Sequence, residues 1–159
     1  MHINLIPSTI WKTKTESNMP RIKLEMPEDY IYSTSIPIRI SDINYGNHLA
    51  NDALLSIIHE ARLQFLNRLG YSELDVAGVG IIMGDVAIIY KNQAYYGDTL
   101  KIDMAVTGFS RKSCDFYYRI TKDDDKVVAL CKTGIVFFDY TQAKPVSIPD
   151  QFVDKLRLK

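Results

Sequence analysis

The chain has no surplus charge of either sign: 19 Lys and Arg are matched by 19 Asp and Glu over 159 residues. Without a net field it does not gather polyanions. Its one local basic run, Lys155, Arg157 and Lys159, reads as a solvated chain end, so nucleic acid is not expected as a partner. Cysteine is scarce as well. Cys114 and Cys131 show no Cys-x-x-Cys spacing and no histidine cluster beside them, which argues against a metal site and against a disulfide framework. They fall on neighbouring predicted strands and could face each other, but buried free thiols are the expectation. Long apolar runs are missing too, and no stretch approaches the roughly 18 residues of a membrane span. No basic start followed by an apolar run opens the chain, so a secretory signal is not expected. Together these exclusions leave a cytoplasmic protein.

What remains is an ordinary globular composition, 47% apolar and 24% charged. The length suits one domain with a self-sufficient core. Residues 1–28 read as an extension, expected to be mobile. The run Thr13-Lys14-Thr15-Glu16-Ser17-Asn18 is polar and aperiodic, Pro7, Pro20 and Pro27 interrupt regular structure, and only Ile3, Leu5, Ile6 and Trp11 could dock. Residues 29–159 read as the domain. Its first element is a strand near 30–40, where Ile36, Ile38 and Ile40 alternate with Pro37 and Arg39. Because Pro37 cannot donate to a ladder, this strand is expected at an edge or with that position unpaired.

A turn-rich stretch, Ser41 to Asn51, leads into the one strong helix. Leu54, Ile58, Ala61, Phe65 and Leu69 form an apolar stripe, and Leu55, Ile57, Leu63 and Leu66 widen it until the helix must be covered on several sides. Asn51 or Asp52 is expected to cap its start and Gly70 to end it. After Gly78 the chain reads as strands: Ile81–Ala94, Thr99–Phe109, Ser113–Lys122 and Lys126–Asp139, divided by hairpin turns. One amphipathic turn through Phe152, Val153 and Leu156 closes the sequence. The pattern is α+β, a curved antiparallel sheet of about five strands wrapped around one long central helix. Such a sheet leaves an open edge, which a homodimer or homotetramer would cover.

The stretch Asp42-Ile43-Asn44-Tyr45-Gly46-Asn47-His48-Leu49-Ala50-Asn51 resembles the 4-hydroxybenzoyl-CoA thioesterase and acyl-ACP thioesterase group of the hot-dog superfamily, which often reads Asp-x-Asp-x-x-Gly-His-Val-Asn-Asn here. His59-Glu60-Ala61-Arg62, Tyr95-Tyr96-Gly97-Asp98 and the strand ending Gly134–Asp139 follow in that group's order, so the resemblance covers about residues 30–140. It implies a hot-dog fold and hydrolysis of an acyl-CoA or acyl-ACP thioester, with no cofactor and no metal. Three departures stand out. Asn44 occupies the place of the group's usual aspartate, Asn47 replaces a glycine, and Ala50 replaces the first of two asparagines.

Thioester hydrolysis needs a donor to the carbonyl oxygen and a group that activates water. The resemblance places the carbonyl at the start of the central helix, near Asn51, where unpaired N–H groups collect. An amide cannot serve as base. Some members of the superfamily that this chain resembles use a carboxylate on this helix, and the resemblance thus makes Glu60 the candidate. A solvated face, or a pairing to Arg62 or to an arginine across the dimer, is the alternative. His48 could orient substrate, shuttle a proton, or simply fix its turn. Asn44 could position water, supported by Asp42, which as a turn residue could equally bond its own backbone. Asn47 belongs to the same candidate substrate site. Arg111 and Lys112, in a later turn, could meet the phosphates of CoA. Asp85, a lone carboxylate in an apolar strand, either faces the site or marks a sheet edge or bulge beside Gly84. His59 points to a different helix face from Glu60. Some of Tyr90, Tyr95, Tyr96, Tyr117 and Tyr118 could line an acyl tunnel, although core is their default place. A non-catalytic acyl-CoA-binding module and a hydratase or dehydratase on the same fold are the competing readings. The latter branch usually shows a Phe-Pro-Gly turn that this chain lacks.

Overall fold

The computed structural model describes residues 22–123 and 125–157. Most of the expected extension, including Ile3, Leu5, Ile6 and Trp11, lies outside the described residues, as does Lys159. Residues 22–31 form neither helix nor strand. Regular structure begins with β1 (Tyr32–Pro37). It continues through α1 (Asn51–Arg68), β2 (Gly80–Tyr90), β3 (Thr99–Thr107), β4 (Ser113–Lys122), β5 (Lys126–Asp139), the two-residue β6 (Lys144–Pro145) and α2 (Asp150–Arg157).

The strands form one antiparallel sheet in the order β1-β3-β4-β5-β2, with β6 added to β5. β1 is an edge strand, one of the two placements Pro37 allows, and among the described residues it pairs with β3 alone. The sheet curves around α1, whose stripe residues Leu54, Ile58, Ala61, Phe65 and Leu69 are all buried, together with Ile57 and Leu66. Across from them Phe116, Tyr118, Ile120, Met104 and Phe137 fill the concave face. This is the hot-dog arrangement the sequence implied, with a small sixth strand.

Both ends of α1 are informative. At the C-terminal end Gly70 takes a left-handed φ of 79°. Its N–H bonds to Asn67 O at 2.9 Å, and the Tyr71 N–H bonds to Leu66 O at 2.9 Å, closing a Schellman motif. Lys155 Nζ from α2 reaches the Leu69 carbonyl at 2.6 Å, and Phe152 of α2 is fully buried. The other end corrects an expectation. Neither Asn51 nor Asp52 caps the helix. The N-cap position belongs to Ala50, which has no side chain to give, and Asn51 is the first helical residue. The capping position is set by the Ala50 N–H, which bonds to Asp42 O at 2.9 Å and brings the chain in one residue early.

β2 also ends before its expected limit at Ala94. After Tyr90 the N–H groups of Lys91 and Asn92 both turn to Val128 O, at 2.8 and 3.2 Å, which breaks the ladder. Within β2 the register shifts between Met83 and Asp85. Gly84 is therefore a bulge, and Asp85 an exposed bulge residue whose carboxylate pairs with Lys132 on β5 at 2.8 Å. Cys114 lies opposite Ile135 and Cys131 opposite Tyr118, so the two thiols do not meet. Both are buried and free, and burial pushes each up to about 12.

Candidate active site

The loop before α1 is built by its own polar side chains. Asp42 is buried, and its carboxylate accepts the Arg39 N–H at 2.8 Å and the Arg39 guanidinium at 3.1 and 3.2 Å. Burial raises its pKa, but the hydrogen bonds and charge of Arg39 outweigh that and hold the carboxyl below its ordinary range. Asn44 Oδ1 accepts the Gly46 N–H at 2.8 Å, and its N–H bonds to His48 O at 3.0 Å, closing the turn over Tyr45 and Gly46. Asn47 takes a left-handed φ of 62°, a conformation asparagine tolerates well. Leu49 N–H then bonds to Ala94 O at 2.8 Å, strapping the loop to the segment after β2.

That strap creates a pocket of about 200 Å³. His48, Asn51, Tyr90 and Lys91 line it along with Leu49, Leu54, Ala94 and Val128. No side chain caps α1, so its first-turn N–H groups lack an intrahelical acceptor, and Ala50 and Asn51 at that end line the pocket. His48 is half-buried. Its Nδ1 lies 3.3 Å from Leu49 O and 3.4 Å from Asn44 Nδ2. The two contacts ask for opposite tautomers. Donation to Leu49 O leaves Nε2 free to accept a proton, whereas acceptance from Asn44 puts the proton on Nε2. Tyr90 donates to Asn51 O at 3.3 Å, tying β2 to the first turn of the helix.

The structure thus brings His48 and Asn51 to one pocket, with Asn44 behind the histidine and Asp42 beneath the loop. Asn47 shapes the turn and does not line the pocket. Glu60 is elsewhere. It follows Asn51 by nine residues, about 14 Å along the axis and two and a half turns round. There it lines a separate groove between α1 and β1, accepting from Gln64 Nε2 at 2.8 Å. It does not pair with Arg62. That arginine is buried and bonds to Glu73 at 2.7 Å, and Glu73 also takes His59 Nε2 at 2.8 Å. Burial raises the Glu73 pKa, but these two partners bring it below the ordinary range. Arg111 and Lys112 follow the end of β3, whereas the pocket sits by the start of β3 and the end of β2, so the antiparallel ladder holds them at opposite ends of the sheet. Lys112 Nζ bonds to Pro145 O at 2.9 Å, and Arg111 lines a groove beside α2. Asp85 does not line the pocket.

Sequence reading missed Lys91, Asn92 and Gln93, which line the pocket because β2 stops at Tyr90. Their polar character after an unbroken apolar run was the available signal. Tyr90 reaches the pocket, Tyr118 is fully buried in the core, and Tyr95 and Tyr96 are exposed. Among the described residues no group of three or more His, Cys, Asp or Glu could hold a metal ion, and no helix is long and apolar enough to cross a membrane.

Solved structures share this fold across long alignments at low identity. A 1,4-dihydroxy-2-naphthoyl-CoA thioesterase from Synechocystis superposes with a TM-score of 0.73 at 16% identity, covering 79% of this chain and 95% of that one. A predicted thioesterase from Bacillus stearothermophilus gives 0.71 at 23% identity, covering 80% and 94%. A Staphylococcus aureus protein solved in complex with CoA gives 0.73 at 13% identity, covering 86% and 87%. No curated protein matches the chain by sequence. The thioesterase-like superfamily matches it over residues 38–156, from the end of the first strand to the last helix, and the chain belongs to that superfamily.

Proposed function

We propose that this protein hydrolyses an acyl thioester of CoA or of acyl carrier protein at the pocket beside His48. The observation that carries the reading is the uncapped start of α1 opening into that pocket. The thioester carbonyl oxygen accepts from the first-turn N–H groups, where the helix dipole favours the charge that develops on it. His48 Nε2 takes a proton from water as the water oxygen bonds to the carbonyl carbon. The C–S bond then breaks, and the thiolate sulfur receives that proton. Membership of the thioesterase-like superfamily supports the reaction class. The CoA-bound structural neighbour supports a ligand of that kind.

The working form in this reading is a homodimer, or a homotetramer built from it. β2 is an 11-residue edge strand that pairs with no second strand on its outer side among the described residues. Only its start is bonded there, by the Ile81 N–H to Glu73 O, and it exposes Met83, Val86 and Tyr90. Such an edge is stable when a second copy pairs with it. Glu60 lies too far from the pocket of its own subunit, so any part it takes in the chemistry is at the neighbour's site.

Thiol release from a panel of acyl-CoAs, by the wild type, His48→Gln and Glu60→Gln, tests this. Hydrolysis by the wild type that falls about 100-fold in His48→Gln is expected. A loss confined to Glu60→Gln would move the base across the subunit interface. No release from any substrate, alongside measurable acyl-CoA binding, would replace the enzyme with a binding module.

A further inference from the structure

We propose that the site takes short apolar acyl groups, of about six or seven carbons at most, and that Val128 and Ala94 set the limit; this rests on the thioesterase reading for the placement of the carbonyl. Exposure sorts the lining into a mouth and a floor. Asn51, Tyr90 and Lys91 are exposed and mark the mouth, whereas Leu54, Ala94 and Val128 are 1%, 1% and 3% exposed and form the floor. With the carbonyl at the helix N-terminus, the acyl chain runs inward over those floor residues. None of them is charged, so a carboxylated or phosphorylated acyl end would lose its hydration without a partner.

The space then runs out. The pocket holds about 200 Å³, below the roughly 300–1,000 Å³ of sites for larger ligands. At about 30 Å³ for each water-sized group, that is room for about six or seven such groups. Among the described residues the floor leads into packed core: Leu54, Ala94 and Val128 share one buried cluster with Phe65, Phe116, Tyr118 and Phe137, each 0–1% exposed. Phe65 and Phe116 meet edge to face with ring centroids 5.9 Å apart. The larger grooves beside α2 and beside β1 share no lining residue with this pocket. Carbons beyond the limit must turn back past Tyr90 to the mouth, where each further methylene gains no place on the floor.

The test is kcat/KM along straight-chain acyl-CoAs from acetyl to hexadecanoyl, kept below their critical micelle concentrations, together with binding of non-hydrolysable hexyl and hexadecyl thioether analogues of CoA. Specificity should rise about fourfold per methylene up to the limit and then level off. Val128→Ala, checked for folding by circular dichroism, should move the break to longer chains by about one or two carbons, and Ala94→Val should move it to shorter ones. A wild-type rise that continues to hexadecanoyl overturns the limit and leaves the thioesterase reading standing. A break that stays put in both folded variants overturns the assignment of Val128 and Ala94. If no thioester is hydrolysed, the thioesterase reading fails and the analogues decide the pocket: hexadecyl binding no tighter than hexyl upholds the limit, and tighter binding overturns it.

Discussion

Asn44 closes its own turn and also touches His48, the proposed base. Its Oδ1 is committed to the Gly46 N–H, leaving Nδ2 against His48 Nδ1. An aspartate there keeps the first bond and turns its second oxygen toward the histidine, where it can accept the Nδ1 proton and hold Nε2 as the base. Asn44→Asp is therefore expected to preserve the fold and raise thiol release by about tenfold. A fall in rate would mean that the amide N–H, and hence the other tautomer, is the working one. Acid sensitivity also belongs at this scale. The folded pKa values of Asp42, Glu73 and Asp98 are all lowered by basic partners. For Asp98 the Lys122 hydrogen bond is the main cause, and for Asp42 and Glu73 the partners overcome burial. A lowered carboxyl binds fewer protons folded than unfolded, so its stabilisation is complete above the unfolded pKa of about 4 and is lost as pH falls toward the folded value. The melting temperature should hold from pH 7 to about 5 and drop below about 4, less steeply in Glu73→Gln.

Among the elements, α1 carries the clearest conflict between stability and function. It is finished carefully at its C-terminus, by Gly70 and Lys155, and left bare at its N-terminus, where Ala50 sits in the extended conformation a capping residue needs (φ −72°, ψ 149°). Serine at this position can bond a first-turn N–H, which is worth about 1 kcal/mol. Ala50→Ser should thus raise the melting temperature while lowering kcat, because in the proposed mechanism the hydroxyl occupies a donor to the substrate carbonyl. A rise in both would show that the helix start is not where the carbonyl binds. The hairpin between β4 and β5 is the opposite case, fully legible from sequence. Alternating apolar residues on either side of Asp123 and Asp125, both at positive φ, define strands whose bounds match those read from the sequence, Ser113–Lys122 and Lys126–Asp139.

For the whole molecule, the proposed assembly rests on the exposed β2 edge. A lysine on such an edge opposes pairing with a second strand, because its charge would be buried between the copies. Val86→Lys should give a folded monomer by sedimentation velocity. If Glu60 serves a neighbouring subunit, the same variant loses thiol release even though every residue of its own pocket is intact. Retained activity in a proven monomer would confine the chemistry to one chain.

The sequence by itself determined the elements. The spacing Leu54-Ile58-Ala61-Phe65-Leu69 specifies a helix with one buried side, and the alternation after Gly78 specifies strands, because both periodicities are local properties of the backbone. It also determined the wrapped-helix class, since a helix apolar on several sides needs a sheet around it. Only the tertiary structure decided which residues share a cavity. Helical periodicity says that Glu60 lies on the face of Ser56 and Gln64 but not that this face meets β1. The basic turn at Arg111 and Lys112 looked available to a ligand until strand order put it at the far end of the sheet. Asp85 and Asn51 were decided by single backbone bonds, a bulge at Gly84 and the Ala50 N–H to Asp42 O. Such contacts join residues distant in the chain or shift a boundary by one position. Neither leaves a periodic signal, which is why the fold was legible while the pocket lining was legible only at His48 and Asn51.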